Sequence, residues 1–204
     1  MTDVVADIQA RKKLLRKQMR QRRRSLSRVQ LKQAARALYR SLVVSKEFRH
    51  SKRVTFTLAR DGEISPHLLL KEALRRGKHC YLPVMSRFGE DKLHFRRITA
   101  DFKGLRAFNT FAIPEPVRAK ECPRRWLSLV LLPLVAFDAN CNRLGMGKGY
   151  YDHSFAFLRK SARQRPLLIG LAHECQRVEQ LELNAWDVQL HAIVTDKAWY
   201  KAPK

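Results

Sequence analysis

The sequence predicts an α/β fold: a mainly parallel sheet flanked by helices, with a helical N-terminal segment. Three observations predict it. A strand–helix–strand succession runs from Arg53 to Val84, the order of a right-handed βαβ unit. Leu127 to Val135 is nearly all apolar, which suits a strand buried on both faces. Gly145, Gly147 and Gly149 alternate directly after that strand and before a helix, so the chain turns sharply there.

Residues 1–50 read as helix. Val5, Ile8, Leu15 and Met19 recur at helical spacing and give one apolar face. Between Arg11 and Arg24 lie nine basic residues and no acid. Ser27 is the expected N-cap of a second amphipathic helix carrying Leu31, Ala35, Leu38 and Leu42. Arg53–Ala59 reads as a strand. Ser65–Arg76 reads as a helix with a Ser cap and Pro66 at its first position, ended by Gly77. Lys78–Val84 is the next strand, and Lys92–Ile98 an antiparallel excursion. Residues 99–125 are rich in loops and proline. After the glycine loop a helix is expected to about Arg159, then strands at Leu167–Ala172 and Ala192–Thr195.

With 45% hydrophobic and 29% charged residues among 204, the chain can bury a sizeable core, which excludes general disorder. It is expected to be a single domain over 1–204, with 1–50 as a basic helical segment packed on it. Forty-two Lys and Arg against eighteen Asp and Glu give a net charge of +24. Such a field attracts nucleic acid, anionic lipid, nucleotides or polyanionic metabolites without choosing among them. Cys80, Cys122, Cys141 and Cys175 form no CxxC pair, so free thiols in a reducing cytoplasm are expected. There is no apolar leader at the N-terminus. The run Leu129–Phe137 is too short to cross a bilayer and contains Pro133. A cytoplasmic protein without membrane partners is therefore the expectation.

Arg143-Leu-Gly-Met-Gly-Lys-Gly-Tyr-Tyr-Asp152 is the most informative stretch. Alternating glycines let backbone N–H groups approach an anion, the following helix offers its positive end, and Lys148 adds a point charge. A dinucleotide fingerprint would need glycine where Tyr150 stands. A Walker A loop would need Gly at Asn142 and Ser or Thr at Gly149. Phosphate binding by a different loop is the favoured reading over a bare tight turn.

The GxGKGYYD loop after Pro133–Asp138 (PLVAFD) resembles the signature of the 5-formyltetrahydrofolate cyclo-ligase family. KKLLRKQMRQRRRSLS, LARDGEI (Leu58–Ile64), RRGKHCYLPV (Arg75–Val84) and IPEP (Ile113–Pro116) follow in the family order. The resemblance implies a three-layer arrangement with its site at the strand C-termini. It implies ATP contacts at Lys12, Lys13, Leu14, Leu15 and Arg16, and along Arg143, Leu144, Gly145, Met146, Gly147, Lys148, Gly149, Tyr150 and Tyr151. It implies folate contacts at Arg16, Leu58, Glu63 and Met146 to Tyr150, and Mg²⁺ held by Asp152 and Asp187. The implied reaction is ATP- and Mg²⁺-dependent cyclisation of 5-formyltetrahydrofolate, polyglutamylated or not, to 5,10-methenyltetrahydrofolate, with ADP and phosphate released. A phosphorylated formyl imidate is the implied intermediate, and no protein nucleophile is assigned.

By chemistry alone, several of these residues read otherwise. Lys12 and Arg16 suit a solvated helix face, Leu58 the core, Asp152 a first helical turn and Asp187 a loop. Glu63 reads equally as a turn carboxylate or a site group. Cys141 and Leu134 stand where the family often has glycine, and His191 where it often has an acid. His191 reads as structural. Two rival readings remain: a nucleic-acid-binding protein using the Arg11–Arg24 helix, and another nucleotide-dependent enzyme on the same fold. For the surplus charge, steering of a polyglutamate tail by Arg20, Arg22, Arg23 and Arg24 is slightly favoured over nucleic-acid binding.

Overall fold

The computed structural model describes residues 2–86, 91–99, 105–107, 114–116, 119–160 and 166–203. Ile113 and the side chain of Val5, both named above, lie outside the described residues. Helices α1 (Thr2–Arg24), α2 (Arg28–Val43) and α3 (Lys46–Arg49) precede β1 (Arg53–Thr55), α4 (His67–Arg75), β2 (His79–Met85) and β3 (Leu93–Ile98). Then come β4 (Leu105–Ala107), β5 (Pro114–Pro116), β6 (Leu129–Pro133), β7 (Ala136–Phe137), β8 (Arg143–Leu144) and α5 (Tyr150–Phe155). The chain finishes with β9 (Leu167–Leu171), β10 (Ala192–Val194) and β11 (Trp199–Lys201).

Among the described residues a seven-stranded sheet has the order β11-β10-β9-β6-β1-β2-β3. From β10 to β2 neighbouring strands are parallel, and β11 and β3 close the two edges antiparallel. The apolar run at β6 sits in the middle because both its faces are covered. Side chains alternate across a strand, so Leu129 and Leu131 join α2, α3 and α4 through Leu38, Leu42, Phe48, Leu69 and Leu70. Val130 and Leu132 point the other way, to Phe95, Phe137, Phe155 and Leu158. This gives the three layers. Helix α1 packs separately, with Met19 against Val135, Ala136, Leu144 and Leu181 beyond the end of β6.

Local chemistry accounts for the helix ends. Ser27 caps α2 in a full capping box with Gln30. Helix α4 starts one or two residues later than the sequence suggests. Pro66 occupies the cap position, while Ser65 Oγ accepts a 3.4 Å bond from His67 N–H. Helix α5 is shorter than expected, giving way at Ala156 to a 3₁₀ turn through Lys160. The short pairs β4–β5 and β7–β8 and the edge strand β11 were not anticipated.

Two departures from the family pattern have local consequences. Cys141 adopts a left-handed φ of 64°, the conformation that glycine takes freely. Leu134 fills the space over Gly170 of β9, where an added Cβ would lie 2.7 Å from Leu134 Cδ2 and equally near Leu190 Cδ1. Gly170→Ala should therefore overpack the core and lower stability by about 1–3 kcal/mol. The check is the urea midpoint at constant slope; an unmoved midpoint would mean that the strand has room to spare.

Candidate active site

The site begins where the parallel strands end. The loop after β1 carries Leu58, Asp61 and Glu63, the end of β2 carries Pro83 and Met85, and β6 ends at Pro133. All six line one cleft of about 710 Å³. Ligands of open α/β sheets gather at such strand C-termini. Helix α1 forms one wall and the glycine loop another.

One buried cation holds these walls together. Arg23 is 1% exposed. Its Nε donates to Asp61 O at 2.8 Å, one terminal nitrogen to Asp61 Oδ2 at 2.9 Å, and the other lies 3.6 Å from Glu63 Oε1. Arg20 and Arg24 also donate to the Asp61 carboxylate. The loop bends to meet them: Asp61 has φ 52° and Gly62 φ 75°. A Cβ at Gly62 would sit 2.9 Å from Arg23 O, so the helix backbone demands glycine there. His173 closes the other side with its ring Nε2 3.0 Å from Gly62 O. Of Arg20, Arg22, Arg23 and Arg24, to which steering of a polyglutamate tail is assigned above, three turn to the Asp61 loop. Arg23 is internal, and Arg20 and Arg24 are committed to Asp61.

The glycine loop is held from across the chain. Arg16 Nε donates to Gly145 O at 2.9 Å over 129 positions of sequence. Its guanidinium lies 3.5 Å from where a Cβ of Gly147 would be. Burial lowers the Arg16 pKa against the opposing field of Asp187, yet an arginine stays charged. Lys12, only 7% exposed, lines the same wall. Lys148 is exposed at the loop tip. Among the described residues neither Lys12 nor Lys148 has an acid partner. Gly147 and Gly149 take φ of 101° and 67°. Helix α5 has six residues, so positive side chains, more than a helix dipole, would supply an anion's counter-charge.

Arg143 acts as a strut within the loop. Its side chain is 6% exposed. It donates to Asp152 Oδ1 at 2.5 Å and to Val188 O, while Val188 N–H donates to the same Oδ1 at 3.0 Å. The loop, α5 and the segment before β10 are thereby tied together. Asp187 is fixed by a 2.8 Å bond from Asn184 N–H to its Oδ2.

The remaining expected contacts divide. Leu144, Gly145, Met146, Tyr150 and Tyr151 line the cleft, as do Leu58, Glu63, Asp152 and Asp187. Leu58 also packs on the core while lining the cleft. Lys13 and Leu14 are exposed and Leu15 packs beside Met19, so these three are not among the lining residues. His191 accepts a 3.0 Å bond from Leu168 N–H, a structural use. Sequence reading missed Glu115, which is 7% exposed, lines the cleft and accepts from Met85 N–H at 3.2 Å. The signal was a lone carboxylate between two prolines. It also missed Trp186, beside Asp187 and 55% exposed on the cleft rim.

Burial pushes the Glu63 carboxyl up, and Arg23 offsets this only in part, so Glu63 keeps its proton to higher pH than an ordinary glutamate. Burial also raises the Tyr151 phenol. Asp61 goes the other way. Burial raises it, but hydrogen bonds from Arg24, Arg20 and Arg23 outweigh that and hold it below the ordinary aspartate range. A depressed folded-state pKa stabilises fully above the unfolded value and is lost as pH falls through the folded one. Asp61→Asn should cost about 1.5–3 kcal/mol at neutral pH. In urea titrations the deficit against wild type should shrink as pH drops below about 4. A deficit independent of pH would assign Asp61 to loop shape alone.

Fold and cleft together define an α/β protein with a cation-lined site at the strand ends, suited to an anionic ligand. The chain belongs to the 5-formyltetrahydrofolate cyclo-ligase family, whose model matches residues 8–196. It is 37% identical over 150 residues to the 5-formyltetrahydrofolate cyclo-ligase of Haemophilus influenzae, covering 72% of this chain and 78% of that protein. The Escherichia coli K12 enzyme of the same name is also 37% identical, over 72% of this chain and 79% of its own length. The structure of Aquifex aeolicus 5,10-methenyltetrahydrofolate synthetase superposes with a TM-score of 0.79 at 30% identity, covering 95% of this chain and 93% of that one. A Mycoplasma pneumoniae synthetase superposes at 0.70 and 24% identity, over 91% and 99%, a likeness of fold. Family and fold support a ligase acting by cyclisation on a folate.

Proposed function

We propose that this protein uses ATP and Mg²⁺ to cyclise 5-formyltetrahydrofolate to 5,10-methenyltetrahydrofolate, releasing ADP and phosphate. The observation that supports this most is the Arg16–Gly145 bond. It brings two cation-bearing segments over one cleft, leaving Lys12, Arg16 and Lys148 for phosphate. The formyl oxygen is a poor leaving group. It attacks the γ-phosphorus and ADP departs, which leaves a phosphorylated imidate. N10 then attacks the formyl carbon and gives up its proton, the ring closes, and phosphate carries the original formyl oxygen away. The protein's task is positioning and charge neutralisation, and no side-chain nucleophile is needed.

Asp152 and Asp187 suit a magnesium ion. Their hydrogen bonds use Asp152 Oδ1 and Asp187 Oδ2, so each keeps one oxygen without a bond among the described residues. Magnesium needs only one or two carboxylates beside phosphate oxygens and water, and when bound it supplies charge neutralisation at the phosphates. Among the described residues no cluster of three His, Cys, Asp or Glu exists to make an all-protein cage. Leu58, Glu63 and Tyr150 would face the folate. No helix among the described residues is long and apolar enough to cross a membrane.

Purified protein with 5-formyltetrahydrofolate and Mg-ATP should give the absorbance of the methenyl product with one ADP per turnover. Product that forms equally well without nucleotide, or none from folded protein, would contradict the proposal. Lys148→Ala should raise the apparent KM for ATP on the order of ten- to a hundredfold, one lost charge-assisted contact, while folate KM changes far less. Equal effects on both substrates would place Lys148 outside the phosphate contacts. Asp152→Asn should raise the Mg²⁺ required for half-maximal rate. Because Asp152 also braces Arg143, Asp187→Asn is the cleaner comparison, and unchanged Mg²⁺ titrations for both variants would remove the carboxylates from the metal reading.

A further inference from the structure

The cleft leaves much of the +24 charge unexplained. The surplus has an ordered part on α2. Arg28, Lys32, Arg36 and Arg40 recur at every fourth position, so they climb one face of the helix at successive turns. All four are exposed. The opposite face, with Ala34, Leu38 and Leu42, is buried in the core, so the ladder points to solvent. The helix contains no acid. Among the described residues none of the four makes an ion pair. No residue of α2 lines the cleft.

We propose that this face of α2 is a docking surface for the phosphate backbone of a nucleic acid, bound without sequence preference. The ladder spans about 18 Å, twelve residues at 1.5 Å each, which is roughly five base steps at 3.4 Å. Its regular spacing therefore matches a regularly spaced polyanion better than a single phosphate. Three of the four cations are arginines, whose planar fork pairs with phosphate oxygens in two-point contacts. Its neighbours extend the basic field. Helices α3 and α4 add Lys46, Arg49 and Lys71, all exposed, while Glu72 is already held by Arg75 and Arg76.

A membrane surface fits less well. A helix lying in a bilayer interface buries its own apolar face in the lipid. Leu38 and Leu42 are 0% exposed in the protein core and are not free to do so. The solvent face offers only Val29 and Val44 as large exposed apolar groups. Acidic protein partners usually bury apolar anchors at the centre of an interface, and this face presents none of the aromatic kind. Docking at α2 is independent of the cyclisation reading, because it uses no cleft residue.

The test is fluorescence anisotropy with a labelled random-sequence 20-base-pair duplex at low salt, beside co-sedimentation with phosphatidylserine vesicles. The wild-type protein should bind the duplex with a slope of log K against log salt of about −3 to −4, near −0.9 per phosphate contact. A variant carrying Arg28→Gln, Lys32→Gln, Arg36→Gln and Arg40→Gln should lose at least about tenfold in affinity and most of that slope. Gln matches Arg and Lys in helix propensity, so the fold and the basal rate of cyclisation should persist. A control variant loses the same charge elsewhere through Lys52→Gln, Arg97→Gln, Lys120→Gln and Lys197→Gln, all exposed positions. It should keep most of the affinity and slope. The proposal is overturned by a ladder variant that binds like wild type, by a control that loses as much as the ladder variant, or by tighter binding to the vesicles than to the duplex.

Discussion

The architecture of the cleft depends on a guanidinium held inside the protein. Arg23 is 1% exposed, and removing an arginine from water is costly unless every donor direction is answered. Here the answers come from the Asp61 carbonyl and carboxylate, the Glu63 carboxylate nearby, and a long 3.5 Å approach to Leu134 O. These partners belong to the loop after β1 and the end of β6. Satisfying one cation thus fixes where α1 crosses the sheet. Once α1 is fixed, Lys12 and Arg16 fall over the cleft beside the glycine loop. The same contact bends the Asp61–Gly62 turn and so sets the direction of Glu63. The two expected halves of the site, one on α1 and one after β1, are positioned by one shared constraint.

Much of the fold was legible because its signals are local or strongly periodic. Ser27 as a cap, the apolar β6 and the strand–helix–strand run each declare themselves within a short window, and all three form, with β1 and β6 shorter than the sequence suggests. The missed elements are two- and three-residue strands such as β7, β8 and β11. Their pairing is decided by tertiary contact, and no periodicity develops over so short a length. The shortened α5 carries no Gly or Pro stop signal, and the rings of Phe155 and Phe157 meet across its end.

The candidate site was legible in its loop and much less so in α1. Met19 and Leu15 correctly mark the inward face of that helix. Lys12, Arg16 and Arg23 lie on the same stripe, at helical spacing from Met19. A run of nine cations without an acid suggests a solvated surface, and periodicity in apolar residues cannot reveal that some of the cations point inward. The acids that receive Arg23, Asp61 and Glu63, are some forty positions away. Lys13 and Leu14, on the outer face, show the other side of the same ambiguity. Charge on α1 is divided among architecture, the cleft and solvent, where Lys13, Lys17 and Arg22 lie, whereas the ladder on α2 faces solvent throughout.

The central claim is that Arg23 and Asp61 act as one unit joining α1 to the loop after β1. A double-mutant cycle of Arg23→Met and Asp61→Asn, read as unfolding free energy in urea, tests it directly. The account predicts that the double variant loses much less than the sum of the two single variants. The coupling should be about 1–3 kcal/mol, because losing Arg23 leaves Asp61 only the more exposed Arg20 and Arg24, and losing the carboxylate leaves the buried Arg23 only the more distant Glu63 as an acid. Additive losses, with coupling within about 0.3–0.5 kcal/mol of zero, would contradict it and leave α1 held by Met19 with its apolar neighbours and by Arg16 at the glycine loop.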